Sequence, residues 1–238
     1  MKSIGKYWKK KAKENHQSPI LEEINTVSGK LYILFGGIAS SMGIPPFEFY
    51  NSSRILNDNK IFLRDFSQSW YQTGLPGIGN TAYDIGNFLK SRIKEINPQE
   101  IYFVGNSMGG FAAILFASML GCGKAVAFCP QTFIDPLKRI VHGDGRWRTK
   151  IFKTYILTLW RVPPPVYDLK RFISKNRCGY SVDVLVSRNH RLDLTHAKRI
   201  SEFNHIFIRE YDKAGHDLVR HLRDTDQLQS IMMGRAFS

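Results

Sequence analysis

The sequence predicts an α/β fold: a mostly parallel, doubly wound sheet with helices on both faces. Three observations predict it. Short runs of branched and aromatic residues are continuously apolar rather than alternating, as strands covered on both sides are. Helical patterns separate these runs, so strand and helix follow one another repeatedly. Each run stops at Gly, Pro or a polar pair, which predicts mostly short connections.

In chain order, the strand 31–35 is apolar throughout and is stopped by Gly36-Gly37. The strand 61–63 runs into Arg64-Asp65. A helix over 81–97 places Ala82, Ile85, Phe88, Leu89, Ile93 and Ile96 on one stripe, between Thr81 and Pro98. The strand 101–104 ends at Gly105, and residues 107–120 are apolar nearly all round, which predicts a buried helix. The strand 125–128 stops at Cys129-Pro130. Strands over 182–186 and 205–208 follow, with amphipathic helices expected over 194–204 and 216–232. About fifty residues, 131–181, separate the fourth strand from the fifth, far more than such a connection needs. They hold Trp147, Trp160 and Pro163-Pro164-Pro165, and predict an inserted, partly helical cap whose stretch 151–160 roofs a pocket. In a sheet of this kind ligands bind beyond the carboxyl ends of the strands.

A chain of 238 residues, 43% hydrophobic, fits a single domain with a sizeable core and excludes a disordered or fibrous protein. No apolar run reaches the length of a membrane span, and the first residues lack the apolar stretch of a secretory signal. Three cysteines without CxxC spacing argue against a disulfide framework. A cytoplasmic location is the expectation. The net charge of +14 sits in two places. Residues 1–13, within a basic tail over 1–19, carry six lysines and no acid. Residues 138–177 carry eleven Lys and Arg against Asp144 and Asp168. Such clusters attract anionic partners.

The chemistry centres on Gly105-Asn106-Ser107-Met108-Gly109-Gly110, directly after a strand and opening a helix. A serine on a sharp strand-to-helix turn needs neighbours without side chains, and Gly105 and Gly109 supply that space. The helix start adds a favourable potential for a developing oxyanion. A base is needed, since a serine hydroxyl is a poor nucleophile until deprotonated. His216, in Gly215-His216-Asp217 after the last strand, suits that task.

These residues resemble the α/β-hydrolase superfamily over roughly 30–234. The resemblance implies a triad in the chain order serine, acid, histidine, with Ser107 as nucleophile and His216 as base. It places the acid after the strand 182–186, where Asp193 is the only carboxylate in 187–197. Asp193 also suits an ordinary helix cap, and Asp135 is the second choice. The same resemblance implies an oxyanion hole made by the backbone N–H of Met108 and of Gly37 or Ile38, with Phe35-Gly36-Gly37-Ile38 standing where the family has an HGGG-type loop. The small, apolar residues 39–47 would line the pocket mouth.

The expected activity is that of a serine hydrolase cleaving an ester or thioester through an acyl-enzyme. The basic cap points to an anionic portion on the substrate, such as an acylated glycan or a lipid-like ester. Acyl transfer by the same triad, or a non-catalytic binding domain, are the alternatives. No cofactor is expected: Gly74–Asn80 contains a proline and follows a loop, which excludes a dinucleotide site. No metal is expected either, because His190, His196 and His205 lack ligand spacing. A specific nucleic-acid partner is not expected, and the tail leaves membrane-surface contact open. Cys122 and Cys129 read as packing thiols.

Overall fold

The computed structural model describes residues 18–38, 47–176, 179–212 and 215–233. Most of the basic tail and the pocket-mouth residues 39–46 therefore lie outside the described residues. Seven strands form one sheet in the order β1-β3-β2-β4-β5-β6-β7. They are β1 (Ile20–Glu23), β2 (Lys30–Phe35), β3 (Asn59–Leu63), β4 (Glu100–Asn106), β5 (Gly123–Phe128), β6 (Tyr180–Ser187) and β7 (Ile206–Tyr211). β1 runs antiparallel to β3, and every other pairing is parallel.

The continuous apolar runs have the expected cause. Ile33 and Phe35 of β2 enter one core, while Tyr32 and Leu34, pointing the other way, enter a second. Both faces of the strand are buried, so neither parity can be polar. β1 escapes a hydropathy reading because it is short and ends in two glutamates. Glu22 is fully buried and takes a bidentate pair from Arg92, at 2.8 and 3.0 Å.

Helix α1 (Ala82–Ile96) starts at a capping box made by Thr81 and Asp84. Helix α2 (Met108–Leu120) is buried along most of its length. Between β5 and β6 lie α3 (Pro136–Val141), α4 (Arg148–Thr158) and α5 (Leu169–Ile173). α5 buries Leu169 and Ile173 and packs on α2, leaving α3 and α4 as the outer part of the insertion. α6 (Arg191–Lys198) begins three residues before the helix predicted over 194–204. The helix predicted over 216–232 is two helices, α7 (Leu218–Asp224) and α8 (Leu228–Met232). Asp226 takes a left-handed φ of 56°, and Gln227 N–H closes back onto Leu222 O, which ends the first helix. Among the described residues, no helix is long and apolar enough to cross a membrane.

Candidate active site

Ser107 stands between β4 and α2 with φ 52° and ψ −110°, a conformation an L-residue adopts only under constraint. The surroundings supply the constraint. A Cβ on Gly105 would lie 2.0 Å from Gly109 O, and one on Gly109 would lie 2.3 Å from Phe35 O. Only glycine fits at either position, as the sequence suggests. Ser107 N–H donates to Phe128 O of β5 at 2.8 Å, and its own carbonyl accepts from Phe111 N–H, the first turn of α2. The hydroxyl caps nothing in the helix, so it is not spent on local structure.

Asp193 and His216 meet. His216 Nδ1 lies 2.7 Å from Asp193 Oδ2. Asp193 sits in the first turn of α6 but does not cap it. His190 holds that position and accepts Asp193 N–H at Nδ1. The fully buried carboxylate presents Oδ2 to His216 and, at 2.9 Å, to His190 Nδ1, and Oδ1 to Arg146 Nη1 at 2.7 Å. Burial pushes the Asp193 carboxyl up, but His216 and Arg146 outweigh it and hold the group below the ordinary aspartate range. Asp135, the second choice for the acid, caps α3 by accepting Lys138 N–H at 3.0 Å. Its carboxylate is committed elsewhere.

Cys129 ties this pair to the nucleophile turn. It follows Phe128, the residue that accepts Ser107 N–H, and its Sγ shares a cluster of under 4.8 Å with Asp193 and His216. Burial and the neighbouring Asp193 charge push the Cys129 thiol well up, so it stays protonated and hydrogen-bonds Asp193.

Arg146 is the residue sequence reasoning missed. It lies in the insertion, between α3 and α4, and holds two aspartates at once. Its Nε and Nη2 bond Asp144 at 3.0 and 3.1 Å while Nη1 bonds Asp193. Asp144 in turn accepts from His196 Nε2 at 2.9 Å. Thr132 N–H donates to His196 Nδ1 at 2.9 Å, which fixes the ring proton on Nε2. Burial raises the Asp144 carboxyl, yet His196 and Arg146 drive it well below the usual range. Burial also lowers the His196 pKa and keeps the ring neutral. A single hint was present in the sequence: Asp144 is one of only two acids in the basic stretch 138–177.

The positions predicted as oxyanion donors differ in their surroundings. Met108 opens α2, where backbone N–H groups have no intrahelical partner. Gly37 N–H, by contrast, donates to Glu48 Oε2 at 2.6 Å, while Glu48 Oε1 accepts from Asn106 Nδ2 at 3.2 Å. Burial pushes the Glu48 carboxyl up to about 7 against these two hydrogen bonds. Ile38 follows Gly37, partly buried against the core. The Arg64-Asp65 loop is structural. Asp65 accepts three backbone N–H groups, from Ser67, Ser69 and Tyr71, and holds the buried turn that carries Trp70.

A strained serine after the central parallel strand, with a histidine and its aspartate beyond β7 and β6, sets the architecture beside solved structures. The capsule O-acetyltransferase of Neisseria meningitidis serogroup A superposes with a TM-score of 0.65 over 90% of both chains, at 14% identity. The chain has the α/β-hydrolase fold. Fluorophosphonate-binding serine hydrolase F of Staphylococcus aureus matches with a TM-score of 0.57 and 16% identity, covering 86% of this chain and 83% of that one. A lipase-esterase related protein from Clostridium acetobutylicum matches at 0.55 and 15%, over 90% and 98%. The Neisseria enzyme has also been solved as a mutant in complex with CoA. No protein-family model matches the sequence, and no curated protein matches it at a significant level. At such identities the likeness speaks for the fold alone, and the α/β-hydrolase fold hosts several chemistries.

Proposed function

We propose that this protein is a serine-dependent acyl-transfer enzyme that cleaves an ester or thioester through an acyl-enzyme on Ser107. One observation carries the reading: the buried Asp193 carboxylate on His216 Nδ1, clustered with Cys129, whose neighbour Phe128 accepts the Ser107 N–H. Nδ1–H bonded to Asp193 leaves the Nε2 lone pair to take a proton. Ser107 Oγ attacks the acyl carbonyl as its proton passes to Nε2, and the carbonyl oxygen gains the negative charge. Met108 N–H and Ile38 N–H are assigned to that charge, and Gly37 N–H joins them only when Glu48 releases it. Collapse of the intermediate breaks the bond to the leaving group, which departs with the His216 proton. Water then attacks the acyl-enzyme with His216 again as base, which completes hydrolysis.

Transfer to a hydroxyl acceptor uses the same steps with the acceptor in place of water. The likeness to an O-acetyltransferase favours that second reading. An anionic portion on the substrate stays in the proposal through surface cations such as Arg148 and Lys153, since Arg139 and Arg146 are engaged with Asp144.

A fluorophosphonate probe tests the proposal. Wild type is expected to label at one site, Ser107→Ala to lose it completely, and His216→Ala to label more than 100-fold more slowly. Equal labelling of wild type and Ser107→Ala would overturn the nucleophile. Product analysis with a thioester and a sugar hydroxyl separates hydrolysis from transfer.

A further inference from the structure

The outer insertion carries an apolar surface that the proposed reaction does not use. On α4, Ile151, Thr154 and Thr158 face the body and are buried. Phe152 and Ile156 lie on the opposite side, 63% and 54% exposed, and Trp160, just past the helix end, is 89% exposed. On α3, Leu137, Ile140 and Val141 share one face at i, i+3 and i+4, and each is at least 74% exposed. The two helices meet around one opening. A cavity of about 740 Å³ lies between them, lined by Ile140 and Phe152 together with Arg139 and Arg148. A surface helix normally turns its apolar stripe inward, and a contiguous apolar patch of this kind marks a contact surface.

Charge selects the occupant. Residues 136–167 contain seven Lys and Arg and one acid, Asp144, which is buried. The exposed side of α4 thus presents Arg148 and Lys153 among its apolar residues and no carboxylate. A second copy docked by two-fold symmetry would place the same cations against each other, which disfavours self-association. Aliphatic and aromatic side chains with an exposed tryptophan, interleaved with cations, match the boundary between headgroups and acyl chains of an anionic bilayer.

We propose that the α3–α4 face docks onto an anionic lipid surface. Ile140, Phe152, Ile156 and Trp160 enter the headgroup–acyl boundary, and Arg148 and Lys153 meet lipid phosphates. This differs from attraction of the lysine-rich tail, which needs no apolar contact. Its apolar contacts are independent of the acyl-transfer reading, whereas Arg148 and Lys153 are the cations that reading gives to an anionic portion of the substrate.

The test is sedimentation of the full-length protein with vesicles of phosphatidylcholine and phosphatidylglycerol, and of phosphatidylcholine alone. Binding to the anionic vesicles is expected to exceed binding to the neutral ones by at least about tenfold. The double variant Phe152→Ser/Trp160→Ser is expected to weaken it by at least about tenfold. The thermal midpoint stays at the wild-type value, because both side chains are exposed. Tryptophan emission that shifts to the blue on anionic vesicles, in wild type but not in Trp160→Ser, supports insertion. Binding that salt abolishes and the double variant leaves intact would assign the effect to the tail and overturn the proposal. Absence of binding overturns it too, as does a concentration-dependent dimer that the double variant dissociates.

Discussion

Asp193 with His216 and Asp144 with His196 are chemically alike, each a buried carboxylate on an imidazole nitrogen, at 2.7 and 2.9 Å. Arg146 bonds both carboxylates. What separates them is the far side of each ring. His216 is 31% exposed and its Nε2 has no hydrogen-bond partner among the described residues; His196 is 1% exposed, and Thr132 N–H already occupies its second nitrogen. The comparison teaches that an aspartate on a histidine is not a catalytic signature by itself. A catalytic pair needs an unspent nitrogen facing an accessible space, whereas a pair satisfied on both nitrogens is a brace.

The largest expected effect breaks the pair that reaches solvent. His216→Ala is expected to lower esterase kcat by about 10⁴-fold, in line with loss of a triad member. Its stability is expected to fall by about 1–3 kcal/mol, because the buried Asp193 carboxylate loses a hydrogen-bond partner. Steady-state kinetics and urea denaturation read the two quantities. An unchanged kcat would remove His216 from the mechanism.

Arg146→Met attacks both pairs together. It leaves two buried carboxylates short of a cation, and removal of one partner from such a network costs about 3–5 kcal/mol. Urea denaturation should show that loss, together with reduced kcat through misplacement of Asp193. A loss of activity at unchanged stability would show that Arg146 serves the site alone.

His196→Phe sharpens the contrast. Thr132 N–H and Asp144 lose a partner, so a stability loss of about 1–3 kcal/mol is expected. Activity per folded molecule should change only a few-fold. A 100-fold fall in kcat without destabilisation would make the buried pair part of the chemistry.

The smallest effect concerns pH. Folded Glu48 keeps its proton to about 7, against 4.5 for an ordinary glutamate. Between those values the folded state binds more protons than the unfolded chain. Its contribution to stability is therefore complete below that window and declines as pH rises through it, by at most about 1.4 kcal/mol per pH unit. Glu48→Gln should flatten this part of the stability profile measured by denaturation from pH 4 to 8. A profile identical to wild type would place the Glu48 titration elsewhere.

The sheet was legible because parallel strands buried on both faces write their positions as continuous apolar runs, as in 31–35 and 101–104. The nucleophile turn was legible because its strain demands glycine at 105 and 109 within four residues of Ser107. The family resemblance pointed to Asp193 as the sole carboxylate of 187–197, and the structure puts its carboxylate on His216 while that of Asp135 caps a helix. Other features carry no local signature. Glu48 meets Gly37 across 11 residues of chain, Arg146 meets Asp193 across 47, and His196 meets Asp144 across 52. The break between α7 and α8 was missed because a left-handed Asp226 interrupts a pattern whose apolar spacing continues through it.

The sequence alone determined what depends on neighbours along the chain: strand and helix order, the strained serine turn, and the excess of cations between β5 and β6. Backbone sterics and hydrophobic periodicity act over a few residues, so they can be read there. Only the tertiary structure decided which aspartate meets which histidine, that one arginine serves two of them, and which apolar side chains of the insertion face outward. Hydrogen bonds and burial depend on distance in space, and folding sets that distance without regard to separation along the chain.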